Sequence, residues 1–135
     1  MRIVLDTNVL LQILPRTAPT RPIFEALLMG RVELVYSTQI LLEYAEILHQ
    51  RLPAAIAESV LTIVQKLPKV RLQNVYYRHR LVPCDQDDEK FVDCAVAANA
   101  DYLITNDAHF KHLAQVRFPA VRVLSAQEFL AVLVA

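Results

Sequence analysis

The sequence has little net charge, few cysteines and no long apolar segment. Its 14 basic side chains balance its 14 acidic ones, which excludes a global attraction to nucleic acid, so any such binding must come from a local patch. The two cysteines, Cys84 and Cys94, have no CxxC spacing and are expected to be free thiols. No apolar run approaches the length of a membrane span and no signal peptide precedes Arg2, so we expect a cytosolic protein without a membrane partner.

What the sequence does contain is typical of a compact globule. Hydrophobic residues make up 55% of the chain, which excludes a disordered tail. Short apolar strands alternate with amphipathic helices, from "RIVL" at residues 2–5 to a closing helix that begins at Ser125. Gly30, the only glycine, lies at the C-terminal end of the second predicted helix. This alternation predicts a single α/β domain over residues 1–135, with βαβ units and a parallel sheet.

Two acidic residues directly follow predicted strands. Asp6 comes after "RIVL", and Asp107 comes shortly after "DYLIT". If the strands are parallel, both residues emerge at the same edge of the sheet, where ligands bind in open α/β folds. Taken singly, each is better explained as the N-cap of the next helix than as a ligand.

Two further carboxylates fall on apolar faces of predicted helices. Glu43, in "STQILLEYAEILHQRL", is predicted on the core-facing side, whereas Glu46 is predicted to be solvated. Asp93 is the only charged residue in "FVDCAVAA". A carboxylate buried without a partner costs on the order of several kcal/mol, so it is normally paired or bound to metal. The alternative to metal is a buried salt bridge, and we expect its basic partner to come from a distant part of the chain.

Carboxylates that converge on one pocket repel one another unless a hard divalent cation neutralises them. Ligation by oxygen alone selects Mg²⁺ or Mn²⁺ over Zn²⁺. Such an ion can activate water and offset the charge on a phosphodiester. The pattern therefore predicts metal-dependent phosphodiester hydrolysis by a site built from four residues: Asp6, Glu43, Asp93 and Asp107.

Three stretches together resemble the PIN-domain family, and most closely its toxin ribonucleases from bacterial toxin–antitoxin pairs. They are "LDTNVLL", "STQILLEY" and "DQDDEKFVDCAVAANADYLITNDAHF", spread over residues 3–110 in the family's order. The resemblance implies a three-layer α/β/α fold with a mostly parallel sheet, and cleavage of RNA with Mg²⁺ or Mn²⁺. It also implies a cognate antitoxin as partner and commonly a homodimer.

Carried over by position, the resemblance implies metal coordination, directly or through water, at the four acidic residues named above. Asn8 matches a residue that orients the first Asp, and Thr105 matches a small hydroxyl residue near the site. Asp88 is a second-tier candidate ligand, although negative charge at a helix start is also explained by the helix dipole. Asn99 and Asn106 stand where the family often has glycine, and Asn tolerates left-handed backbone.

Two other classes of function compete with a nuclease. A non-catalytic module that binds RNA or a partner protein would use the same fold. A phosphatase or receiver-like domain also has an Asp after its first strand, but it usually needs a second acidic residue two positions on, where this chain has Asn8. The segment "YYRHR" at residues 76–80 combines rings and positive charge as RNA-contacting segments do, but an exposed edge is the favoured interpretation.

Overall fold

The protein is described from a computed structural model, which covers residues 1–75, 86–117 and 121–135, without the side chains of residues 86–88, 113, 116 and 117. The strands are β1 (Arg2–Leu5), β2 (Glu33–Tyr36), β3 (Val70–Leu72), β4 (Tyr102–Ile104) and β5 (Val123–Leu124). The helices are α1 (Thr7–Ile13), α2 (Arg21–Leu28), α3 (Thr38–Arg51), α4 (Ala54–Gln65), α5 (Gln86–Ala97), α6 (Ala108–Arg117) and α7 (Ala126–Val134).

The five strands form one parallel sheet in the order β3-β2-β1-β4-β5, which confirms the predicted α/β class. The chain runs outward from β1 to β2 and β3, and then returns to the other side of β1 to form β4 and β5. Crossovers between parallel strands are right-handed, so this reversal places helices on both faces of the sheet, as a three-layer architecture requires. The strand order changes direction between β1 and β4, and ligands in such sheets bind at that switch point.

Helix ends follow signals that are visible in the sequence. The Ser37 hydroxyl accepts a hydrogen bond from the Ile40 N–H at 3.2 Å and so caps α3. Ser125 and Glu128 form a reciprocal capping box at the start of α7. Gly30 follows α2 with a φ of +73°, a left-handed conformation that glycine adopts without steric cost.

The core lies where the helices pack on the sheet. The last three residues of β1 are fully buried, and α5 packs against β1, β2 and β4. Tyr44 of α3 is also fully buried, and its hydroxyl donates to the Leu5 carbonyl at 2.5 Å. The closing helix α7 packs against β5 and α2 and buries Phe129, so its apolar face belongs to the core.

The two asparagines at family glycine positions differ in backbone conformation. Asn99 has a φ of 52°, as its place at a family glycine position implied, whereas Asn106 does not have a positive φ. The segment "YYRHR" lies outside the described residues. Within the described ranges, no helix is both long enough and apolar enough to cross a bilayer.

Candidate functional site

Asp6 lies at the switch point of the sheet, between the ends of β1 and β4. Its main-chain N–H donates to the Ile104 carbonyl at 2.9 Å, and its own carbonyl accepts from the Leu10 N–H at 3.1 Å. Asp6 is thus the N-cap residue of α1 by its backbone, but its side chain makes no capping hydrogen bond. The side chain accepts instead from the Thr105 hydroxyl, at 2.8 Å. A capping side chain therefore does not explain this Asp.

Thr105 connects the two acidic residues that follow strands. It is buried, with 1% of its surface exposed. Its hydroxyl donates to Asp6 Oδ2 and accepts from the Asp107 N–H at 3.2 Å. One hydroxyl group thus fixes the Asp6 carboxylate and the loop that carries Asp107.

The environment of Asp6 raises its pKa above the ordinary value, mainly through burial and also through the nearby charge of Glu43. The Thr105 hydrogen bond and the main-chain N–H groups of Asn8 and Thr7 oppose this rise. Asn8 therefore acts on Asp6 through its backbone, while its side chain is exposed. Because burial and like charge prevail, a cation at this position would stabilise the ionised carboxylate.

Glu43 lies on α3 close to Asp6 and is half-buried, with 24% of its side chain exposed. The Thr7 hydroxyl donates to Glu43 Oε2. Glu43 Oε1 forms an ion pair with the Lys90 ammonium, with the two atoms 2.7 Å apart. The salt-bridge alternative, with a basic partner distant in sequence, is therefore what the structure shows at Glu43.

Lys90 is a site residue that the sequence analysis missed. It lies on α5, and only 14% of its side chain is exposed. It precedes Asp93 by three residues, so the two side chains share one side of the helix. The signal was available, since Lys90 is the only basic residue in the sequence of α5 and directly adjoins the apolar segment that contains Asp93.

Asp93 is buried as expected, with 3% of its surface exposed. Burial and the Asp93 charge raise the pKa of the neighbouring Cys94 thiol to about 12. However, the described ranges contain no group of three or more His, Cys, Asp or Glu side chains that could together hold a metal ion. The structure therefore brings Asp6 and Glu43 together, and it does not add Asp93 or Asp107 to form a cluster of three.

Asp107 is exposed, and its carboxylate caps α6 by accepting from the Phe110 N–H at 3.0 Å. The capping interpretation thus applies to Asp107, which remains tied to the site through Thr105. The side chain of Asp88 lies outside the described residues. Glu89, the next residue, is buried, with 5% of its surface exposed.

Tyr44 fixes the end of β1, the strand that leads into Asp6. Its hydroxyl holds the carbonyl of Leu5, the residue directly before Asp6. Burial raises the Tyr44 pKa well above its usual value, and the charges of Cys94, Asp6 and Glu43 act in the same direction. The phenol therefore stays protonated and donates a permanent hydrogen bond to the end of β1.

The ligand atoms in this site suit a hard divalent cation. Asp6 and Glu43 offer carboxylate oxygens, and Thr7 and Thr105 add hydroxyl oxygens, the donor type that Mg²⁺ and Mn²⁺ prefer. The raised pKa of Asp6 is relieved by added positive charge. Lys90 already supplies one such charge at Glu43, so a metal ion would share that carboxylate with an ammonium group.

Comparison with protein families shows the family of this chain. The family model described as "PIN domain" matches residues 2–109, a range that contains all four acidic residues predicted from the sequence. No curated protein matches the chain significantly.

Two VapBC assemblies are among the solved structures that share the fold. One is VapBC2 from Rickettsia felis bound to a DNA fragment from its promoter, with a TM-score of 0.64, 16% identity, and coverage of 93% of this chain and 98% of that one. The other is VapBC-1 from nontypeable Haemophilus influenzae, with a TM-score of 0.61, 15% identity, and coverage of 94% and 99%. Identities this low establish likeness of fold.

Proposed function

We propose, from the premise that this chain belongs to the PIN-domain family, that it is a Mg²⁺- or Mn²⁺-dependent endoribonuclease and the toxin of a toxin–antitoxin pair. The observation that carries the proposal is the approach of two carboxylates, Asp6 and Glu43, at the switch point of the sheet. Ligands bind at this position in open α/β folds, and the raised pKa of Asp6 marks a place where a cation is favoured.

Asp6 and Glu43 would hold the cation, with Asp93 and Asp107 as further ligands, directly or through water. Asp88 remains a second-tier ligand in this proposal. When bound, a divalent ion would lower the pKa of a coordinated water and offset negative charge on the phosphodiester.

The residues around these carboxylates have positioning roles in the proposal. Thr105 orients Asp6, and Thr7 orients Glu43, each through a hydroxyl that donates to the carboxylate. Tyr44 holds the end of β1 through the Leu5 carbonyl. The carboxylates are thus pre-oriented by protein hydrogen bonds, which reduces the reorganisation that ligand binding requires.

The test is cleavage of RNA by the purified protein with Mg²⁺ or Mn²⁺, compared with the same reaction in EDTA. Glu43→Gln and Asp93→Asn should each abolish cleavage. Glu46→Gln is the matched control for Glu43→Gln, because Glu46 is exposed on the same helix and should be dispensable. Metal-dependent cleavage that survives Asp93→Asn would reject the assignment.

A second candidate function is a non-catalytic module that binds RNA or a protein. It is favoured by the Lys90–Glu43 ion pair and by the lack of a three-membered ligand group among the described residues. This candidate predicts RNA binding, measured by fluorescence anisotropy, without cleavage in any metal. It also predicts that Glu43→Gln and Asp107→Asn leave binding unchanged.

The proposed partner is an antitoxin protein that covers the acidic site, and its support is the likeness of fold to chains of two VapBC assemblies. A small reading frame beside this one should encode it. Co-expression of the two products should yield a stable complex with suppressed cleavage. We also propose a homodimer, which light scattering coupled to size-exclusion chromatography tests directly.

A further inference from the structure

Lys90 is a residue of the site to which the proposed chemistry gives no role. Its ammonium contacts Glu43 Oε1 at 2.7 Å, and it reaches this carboxylate from α5 while Glu43 lies on α3. Both side chains are largely shielded, with 14% and 24% exposed. An ion pair this shielded interacts much more strongly than one on the surface.

The charge balance of the site gives this ion pair a consequence for metal binding. Glu43 accepts a hydrogen bond from Thr7, the residue directly after Asp6, so the two carboxylates lie near each other and their repulsion needs compensation. Lys90 supplies one positive charge within the fold itself. A divalent ion that binds the same carboxylates must therefore approach a cation that is already in place.

We propose that Lys90 is a positioning residue that acts as a fixed cation. It holds Glu43 in place before metal binds, and it restricts the site to a single divalent ion. The metal part of this inference rests on the proposed function, whereas the pairing with Glu43 does not. A second ion beside Glu43 would lie within a few ångströms of the ammonium, where the repulsion between like charges is large.

The direct test is Mn²⁺ binding to metal-free protein without RNA, measured by isothermal titration calorimetry and by electron paramagnetic resonance of the free ion. The parent protein should bind one Mn²⁺ per chain. Lys90→Gln should bind Mn²⁺ about tenfold more tightly or better, an effect of the size that a charge within about 4–6 Å has on proton binding to a carboxylate. The Gln amide can still donate to Glu43, so this variant removes the charge while retaining a donor.

Two controls separate charge from shape. Lys90→Arg keeps the positive charge and should bind Mn²⁺ like the parent. Lys66→Gln removes the same charge from an exposed position at the end of α4 and should also leave affinity unchanged. A purely structural role for Lys90 predicts weaker Mn²⁺ binding in Lys90→Gln. Weaker or unchanged affinity in that variant, or two ions bound to the parent, overturns the inference.

A second measurement tests the pair without any metal. In EDTA, Lys90→Gln and Glu43→Gln should each lower the melting temperature, and the double variant should lose less than the sum of the two. Additive losses would contradict the role of Lys90 in holding Glu43.

If the parent binds one Mn²⁺ and Lys90→Gln binds it more tightly, yet no RNA is cleaved, the nuclease proposal fails and this inference stands. If RNA is cleaved but affinity is unchanged in Lys90→Gln, the inference alone fails.

Discussion

Replacement of Thr105 by valine tests the hydrogen-bond link at the centre of the site. Valine matches the shape of threonine but has no hydroxyl, so Asp6 loses its donor and the Asp107 N–H loses its acceptor. A hydrogen bond to a charged group contributes about 1.5–3 kcal/mol and a neutral one about 1 kcal/mol, which gives an expected loss of about 2.5–4 kcal/mol. At about 3 °C per kcal/mol for a chain of this size, the melting temperature should fall by about 7–12 °C.

The assay is urea unfolding in EDTA, followed by far-UV circular dichroism, so that no bound ion contributes. Thr105→Ser is the matched control, because it keeps the hydroxyl and removes one buried methyl group, at a cost of about 1 kcal/mol. The expected order of stability is parent, then Thr105→Ser, then Thr105→Val. If Thr105→Val is as stable as Thr105→Ser, the hydroxyl does not link Asp6 to the loop of Asp107, and the reasoning is refuted.

Three further predictions concern parts of the fold outside the site. The Lys111 hydrogen bond lowers the pKa of Glu128 to about 2. The ionised Glu128 carboxylate therefore stabilises the fold above pH 4.5, and this stabilisation is lost as pH falls towards about 2. The stability gap between the parent and Glu128→Gln, measured by urea unfolding, should shrink over that range. Burial raises the pKa of the Cys94 thiol to about 12, so in a Cys84→Ser protein this one remaining thiol should react with a thiol-specific disulfide reagent at neutral pH only when the protein is unfolded. Fast reaction in native buffer would contradict this. Gly30→Ala should lower the free energy of unfolding by about 1 kcal/mol or more, because φ is +73° and the added methyl group would lie 3.1 Å from a proline carbon.

Much of the fold was predictable because local signals and the hydrophobic pattern agree. Ser37 precedes an amphipathic segment and caps a helix, and Gly30 ends one. The alternation of apolar strands and helices leaves a parallel sheet as the natural solution. The order of the strands in the sheet was not predicted, because the crossover from β3 back to β4 depends on packing between elements far apart in sequence.

The candidate site was predictable only in part, because exposure and pairing depend on neighbours from other elements. Asp93 is buried as its apolar surroundings predicted, since α5 packs against β1, β2 and β4. Glu43 is half-buried, because its position brings it to Lys90 of another helix rather than into the centre of the core. Asp107 follows a strand, as Asp6 does, yet its side chain caps α6 while the side chain of Asp6 does not cap α1.

The difference between Asp6 and Asp107 shows how one sequence pattern serves two purposes. At Asp107 the carboxylate stabilises its own helix, so its charge is partly satisfied locally. At Asp6 the backbone alone begins the helix, and the side chain is left in a half-buried position near another acid, at an energetic cost that the raised pKa records. Carboxylates whose pKa is raised by burial and by a neighbouring charge are concentrated at functional sites. The proposed function therefore depends on Asp6 and Glu43, and our proposal for Lys90 is that its charge sets how strongly these two carboxylates attract a cation.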